Sequence, residues 1–194
     1  GAPALDRILK DADASERWAA ACALLRIGGP EMKGAVRYLL ETATANRERN
    51  WTDASNILMA PTARAALPVV LDAVRDPSVR ALAVQSAVEV SDYLQKDPMN
   101  DVRPFLKDKD PAVRCVTAWI LHSARAVPIK EAIAVLRETL SAPHPWAQCQ
   151  AAHYLGKLGA EAAGAVPELT RALDDSDEGV RHAAAKALKA VQRK

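Results

Sequence analysis

An all-α solenoid of about six stacked helix pairs is the fold that this 194-residue sequence predicts. Three observations carry the prediction: a motif recurs about every thirty residues, its apolar positions are spaced for one helical face, and no segment alternates as a strand would. The recurrence is plainest at an arginine: Arg17 in ASERWAAACALL, Arg80 in DPSVRALAVQSAV, Arg114 in DPAVRCVTAWIL and Arg181 in DEGVRHAAAKAL. Two more fragments fit the frame with the arginine replaced, RERNWTDASNIL by Trp51 and HPWAQCQAAHYL by Gln148. The anchors 17, 51, 80, 114, 148 and 181 lie 34, 29, 34, 34 and 33 residues apart. Six units therefore fill the chain as one repeat domain, 1–194, with approximate limits 1–29, 30–60, 61–94, 95–127, 128–162 and 163–194.

Each unit reads as two helices. The first is amphipathic, as in PALDRILKD, ALPVVLDAVRD, IKEAIAVLRETL and AVPELTRALDD, with apolar residues at i, i+3, i+4. Prolines 3, 68, 128 and 167 sit near the front of these segments, where a helix tolerates them in its first turn and kinks if they fall deeper. Turns such as DPS and DPA then supply an aspartate cap and a proline at the first helical position. Three and seven residues past the anchor come Ala20 and Leu24, Ala54 and Leu58, Ala83 and Ala87, Thr117 and Leu121, Ala151 and Leu155, Ala184 and Leu188, the buried side of the second helix. A pair of this length cannot bury its stripe alone, so neighbours must stack on a shared core. Alanine dominates the contact positions, which lets helices approach closely in a chain with only 4% aromatic residues. With axes about 8–10 Å apart, six pairs would make a right-handed superhelix roughly 50–60 Å long.

The segment AVPELTRALDDSDEGVRHAAAKAL, residues 165–188, resembles a HEAT repeat of the short bacterial kind, an armadillo-like array also met in phycobilin lyase subunits. The resemblance covers essentially the whole chain. It implies second helices that line a concave face, and an Asp and Arg ladder that stitches successive repeats. The second repeat, NRERNWTDASNILMAPTA, departs most, with Pro61 cutting its second helix short. Four residues before the anchors stand Asp13, Arg47, Asp76, Asp110, His144 and Asp177. The aspartate is present at 13, 76, 110 and 177, where the anchors are Arg17, Arg80, Arg114 and Arg181. It is absent at 47 and 144, where the arginine is absent too. Joint retention is what an ion-pair unit predicts, because one partner left alone at a partly buried junction costs more than losing both. Arginines poised for phosphate are the functional alternative.

Positions one and five past the anchor are i, i+4 neighbours on the outward face of the second helices. They read Trp18 and Cys22, Thr52 and Asn56, Ala81 and Gln85, Cys115 and Trp119, Cys149 and His153, His182 and Lys186; three residues further lie His122 and Lys189. This stripe varies while the core columns are monotonous, as a binding surface laid on a scaffold should. Trp18, Cys115, Trp119, His122, Cys149, His153, His182 and Lys186 are its candidate contacts; ordinary packing between helices is the alternative. Trp146 is a candidate edge anchor. Replacing Trp119 and His153 by alanine is expected to abolish capture and leave stability nearly unchanged.

Cys149 and His153 at i, i+4 could chelate a metal with help from Cys115 or His182, but no carboxylate completes a set, and no metal or other cofactor is expected. A Cys149–His153 thiol nucleophile would lack an orienting third group, and catalytic residues are expected to be none. Phosphate-loop, dinucleotide and serine-elbow motifs do not occur, and Asn50-Trp51-Thr52 reads as a chance glycosylation match. The net charge of +2 carries no strong footprint for nucleic acid, although local patches stay open. Lys186, Lys189, Arg193 and Lys194 crowd the end of the chain, as a final helix dipole favours, or as a small patch for an acidic partner. Three cysteines without CxxC spacing point to reduced thiols and a cytoplasmic setting, which a mature secreted fragment would resemble. No membrane helix or signal peptide is evident. The in-register start at GAPALDRIL is read as excision from a longer, multidomain chain.

The leading expectation is a non-enzymatic scaffold that binds a protein or peptide on its concave face. One alternative is a DNA-binding or base-excising protein similar to HEAT-like alkylpurine DNA glycosylases, which calls for a basic groove with aromatics and a carboxylate. The other is a phycobilin-lyase-like chaperone subunit.

Overall fold

The computed structural model describes residues 2–11, 13–45, 63–93 and 99–193. Expectations that fall on Arg47, Trp51, Thr52, Asn56 and Pro61, including the limits of the second repeat's second helix, lie outside them. All regular structure among the described residues is helical. The chain divides into two compact units, 1–95 and 96–194.

In the first unit α1 (Ala2–Asp11) pairs with α2 (Ala14–Ile27), α3 (Met32–Ala45) follows, and α4 (Ala63–Ala73) pairs with α5 (Arg80–Tyr93). Helix α2 ends at Gly28, whose φ of +77° is a backbone state that glycine adopts without strain. Pro68 falls inside α4 and not in its first turn. The core here is built from Leu24, Leu25, Leu39, Leu40, Leu67 and Leu71, each at most 1% exposed.

In the second unit a short 3-10 helix (Arg103–Lys107) packs on α6 (Pro111–Ser123), and α7 (Ile129–Leu140) pairs with α8 (Pro145–Leu158). A bent first element follows, made of a 3-10 stretch (Gly159–Ala165), α9 (Val166–Arg171) and a final 3-10 turn (Ala172–Asp174), and it packs on α10 (Glu178–Val191). The second helices α6, α8 and α10 lie side by side, with α8 against both neighbours. The column rule explains the core: Ala20, Leu24, Ala83, Ala87, Thr117, Leu121, Ala151, Leu155, Ala184 and Leu188 are all buried. Thr117 is tolerated there because its hydroxyl donates to the Val113 carbonyl, 2.7 Å away. Period, apolar column and alanine content together produce an all-α, solenoid-class architecture of helix pairs.

Candidate functional site

The turn between the two helices of each repeat fixes where the second helix begins and hence which residues face outward. Asp13 accepts from the amides of Ser15 and Glu16, Asp110 from Ala112 and Asp177 from Val180, at 2.8–3.1 Å, so each caps a second helix. Asp76 accepts from the Ser78 amide and hydroxyl and from Arg37. The anchor arginines turn back onto the chain before them. Arg80 donates to the carbonyls of Val74 and Arg75, Arg114 to those of Asp108 and Lys109, and Arg181 to those of Asp175 and Ser176, at 2.7–3.2 Å. At 110/114 and 177/181 Asp and Arg thus secure opposite sides of one turn through its backbone. Arg17 instead has its guanidinium 5.5 Å from the centre of the Tyr38 ring.

The fifth repeat shows the same division of labour with different side chains. His144 accepts from the Ala147 amide through Nδ1 at 3.2 Å and caps α8. Gln148 donates through Nε2 to the Leu140 carbonyl at 3.1 Å and to Asp175 Oδ2 of the next repeat at 3.0 Å. This direct rung between repeats therefore uses Asp175, two residues before the expected Asp177.

The outward stripe is less uniform than its spacing suggests. Cys115 is fully buried, 0% exposed, so the expectation of a contact there is corrected. Its thiol is pushed far above the usual range by that burial. Tyr154 of α8, six past its own anchor, is 3% exposed, and its pKa is raised first by burial and then by its neighbour Cys115. Tyr154 also stacks on Trp119, with ring centroids 4.6 Å apart and an interplanar angle of 4°. His122 lies 6.2 Å from the same indole and Lys157 Nζ 5.3 Å from its centre. Trp119 and His122 are half-buried, as are Trp18 and Cys22 in the first unit. Cys149 packs beside Val180 and Ala184, and its thiol is raised by burial first and then by Asp177 and Asp175, which leaves it a weak nucleophile.

His153, His182 and Lys186 are exposed and converge on one groove of about 320 Å³ between α8 and α10. Ala152, Gly156, Ala183, Ala187 and Ala190 complete its apolar lining, and Lys157 joins the rim. Gly156 permits the close crossing: a Cβ there would stand 3.2 Å from the Ala187 Cα. Burial lowers the pKa of His153, and the charges of Lys157 and Lys186 lower it further, so both disfavour its protonated form. No carboxylate lines this groove. Among the described residues no three His, Cys, Asp or Glu side chains gather as a metal would require, and no helix is long and apolar enough to cross a membrane.

Residues 99–189 match the family model described as HEAT repeats. Residues 99–189 carry HEAT repeats. Among solved structures, an engineered protein known from a crystal structure is 19% identical, over 98% of this chain and 98% of that one, with a TM-score of 0.42. The comparison with curated proteins returned no match.

Successive HEAT repeats are also stitched by charge, on the first helices. Arg103 donates to Glu131 of α7 at 2.9 Å, and Arg137 of α7 to Glu168 of α9 at 2.8 Å. The Arg137 hydrogen bond holds the Glu168 carboxyl below the usual range. In the first unit Lys33 and Arg37 of α3 reach Asp72 and Asp76 across a cleft of about 240 Å³. These pairs, Asp175, Tyr154 and the Gly156–Lys157 corner carry no role in the column reading. The internal glycine was the available signal, since glycine in a HEAT helix marks a close approach.

Proposed function

We propose that this HEAT-repeat chain is a non-enzymatic scaffold that holds a peptide segment of a protein partner against α8 and α10. The observation that carries the reading is the groove between them: an alanine and glycine floor with polar groups confined to the rim. Clefts of about 300 Å³ and above, mostly apolar with a few oriented polar groups, are the usual form of a binding site. Repeat architecture favours the same reading, because a rigid array presents side chains from successive helices at fixed spacing. His153, His182, Lys157 and Lys186 are the groups a peptide would meet first, and Trp119, fixed by Tyr154, supports Lys157 from behind.

The test fills the groove without touching the core. Ala183 and Ala190 are partly exposed on its wall, and leucine at both positions would occupy the space a peptide needs. A random peptide library panned against the full chain should enrich binders that lose affinity at least about tenfold for the Ala183→Leu/Ala190→Leu variant, with helicity unchanged. Enriched peptides that bind both proteins equally, or no enrichment, would sink the proposal.

A further inference from the structure

We infer that the peptide held between α8 and α10 is acidic, with an apolar side chain inserted between carboxylates that reach the lysine rim; this rests on the groove being a peptide site. The net charge of the chain conceals how charge is divided. Helices α6, α8 and α10 carry Arg114, Lys157, Arg181, Lys186 and Lys189 against one carboxylate, Glu178. Arg114 and Arg181 are held by turn carbonyls. Glu178 lies in the first turn of α10, roughly 12 Å along the axis from Lys186 at 1.5 Å per residue. The groove end of the layer therefore presents ammonium and imidazole groups with no acid among its lining residues.

Helix C-termini attract lysine without any partner, which accounts for Lys157 and Lys189 in their last turns. It does not account for Lys186, nor for placing two lysines so close that both depress the same histidine. Among the described residues Lys186 has no ion pair, whereas the lysine and arginines at 33, 37, 103 and 137 on the first helices each have a carboxylate partner. Acidic peptide fits better than nucleic acid for two reasons. The floor is alanine and glycine and accepts an aliphatic side chain, not a base. Base stacking needs a free aromatic face, and one face of Trp119 is already covered by Tyr154.

The experiment uses the full chain and fluorescently labelled probes read by anisotropy. One peptide is built of leucine, glutamate and alanine; a second has glutamine for glutamate, a third serine for leucine, and single-stranded oligothymidylate is the fourth probe. The acidic leucine peptide should bind at least about tenfold tighter than the other two peptides, and the advantage over the glutamine peptide should shrink with added salt. Lys157→Glu/Lys186→Glu should lower its affinity at least about tenfold with helicity unchanged, and Ala183→Leu/Ala190→Leu should do the same. Equal binding of the glutamate and glutamine peptides, both lost in the leucine-filled variant, would overturn the acidic assignment and leave the groove standing. Tighter binding of oligothymidylate, lost on charge reversal, would reassign the lysines to nucleic acid. Failure of every peptide probe also overturns the inference, and the library panning then judges the groove separately.

Discussion

Replacing Trp119 by alanine separates the two jobs that the structure assigns to this side chain. As a stripe residue it was expected to leave with no effect on stability, yet its ring lies flat on Tyr154 at 4.6 Å with Lys157 5.3 Å from its centre. A tryptophan buries about 150–250 Å², and a half-buried one loses roughly 100 Å² of contact, or about 2.5 kcal/mol at 25 cal/mol per Å². The stack adds about 0.5–1.5 kcal/mol. These terms overlap, so about 3 kcal/mol is the expected loss, with Tyr154 uncovered as its cause. Urea unfolding followed by far-UV circular dichroism should show the midpoint falling by more than about 1 M, given a slope of about 1–3 kcal/mol per M. Trp119→Phe keeps a ring on Tyr154 and should lose less than half as much. A midpoint for Trp119→Ala within about 0.3 M of the parent would refute the reasoning, because it would show the indole to be a solvated contact.

The cap and carbonyl roles of the turn predict an order of variants: Asp110→Ala should lose about 0.5–2 kcal/mol in the same urea assay, and Asp110→Asn, still a good cap, only a few tenths. Equal losses would restore a direct ion pair with Arg114. Glu168, whose carboxyl is held low chiefly by the Arg137 hydrogen bond, stabilises the fold at pH above the ordinary glutamate value of 4.5, and that contribution vanishes as pH falls through its lower folded value. Glu168→Gln should therefore flatten the stability profile below about pH 5; an unchanged acid slope measured by thermal melts would count against it.

Fold and site were not equally legible, and the reason is which atoms each depends on. The core columns depend on the period of one helix against itself, so Ala20, Leu24, Leu121 and Leu155 are placed by counting from the anchor, and all are buried. The same count put His153, His182 and Lys186 on the outward face. It failed at Cys115 because a helical period says which way a side chain leaves its own helix, not what other elements lay over it, and Cys115 is fully buried. Joint retention of Asp and Arg likewise showed that the two act together, but both an ion pair and a shared turn produce that pattern. His144 and Gln148 resolve it: they cannot form the Asp–Arg pair, yet they cap α8 and bind a carbonyl as Asp110 and Arg114 do for α6. What the fourth, fifth and sixth repeats share is thus the closure of the turn, by a charged pair in two of them and a neutral pair in the other. Charge itself was hidden by averaging. A net +2 for the chain looks indifferent to partners. Separated by helix, Arg103–Glu131 and Arg137–Glu168 pair on the first helices, whereas among the described residues Lys157 and Lys186 beside the α8–α10 groove have no carboxylate partner. Paired charges neutralise one another where repeats meet, so Lys157 and Lys186, which have no carboxylate partner among the described residues, contribute to the field left for a partner.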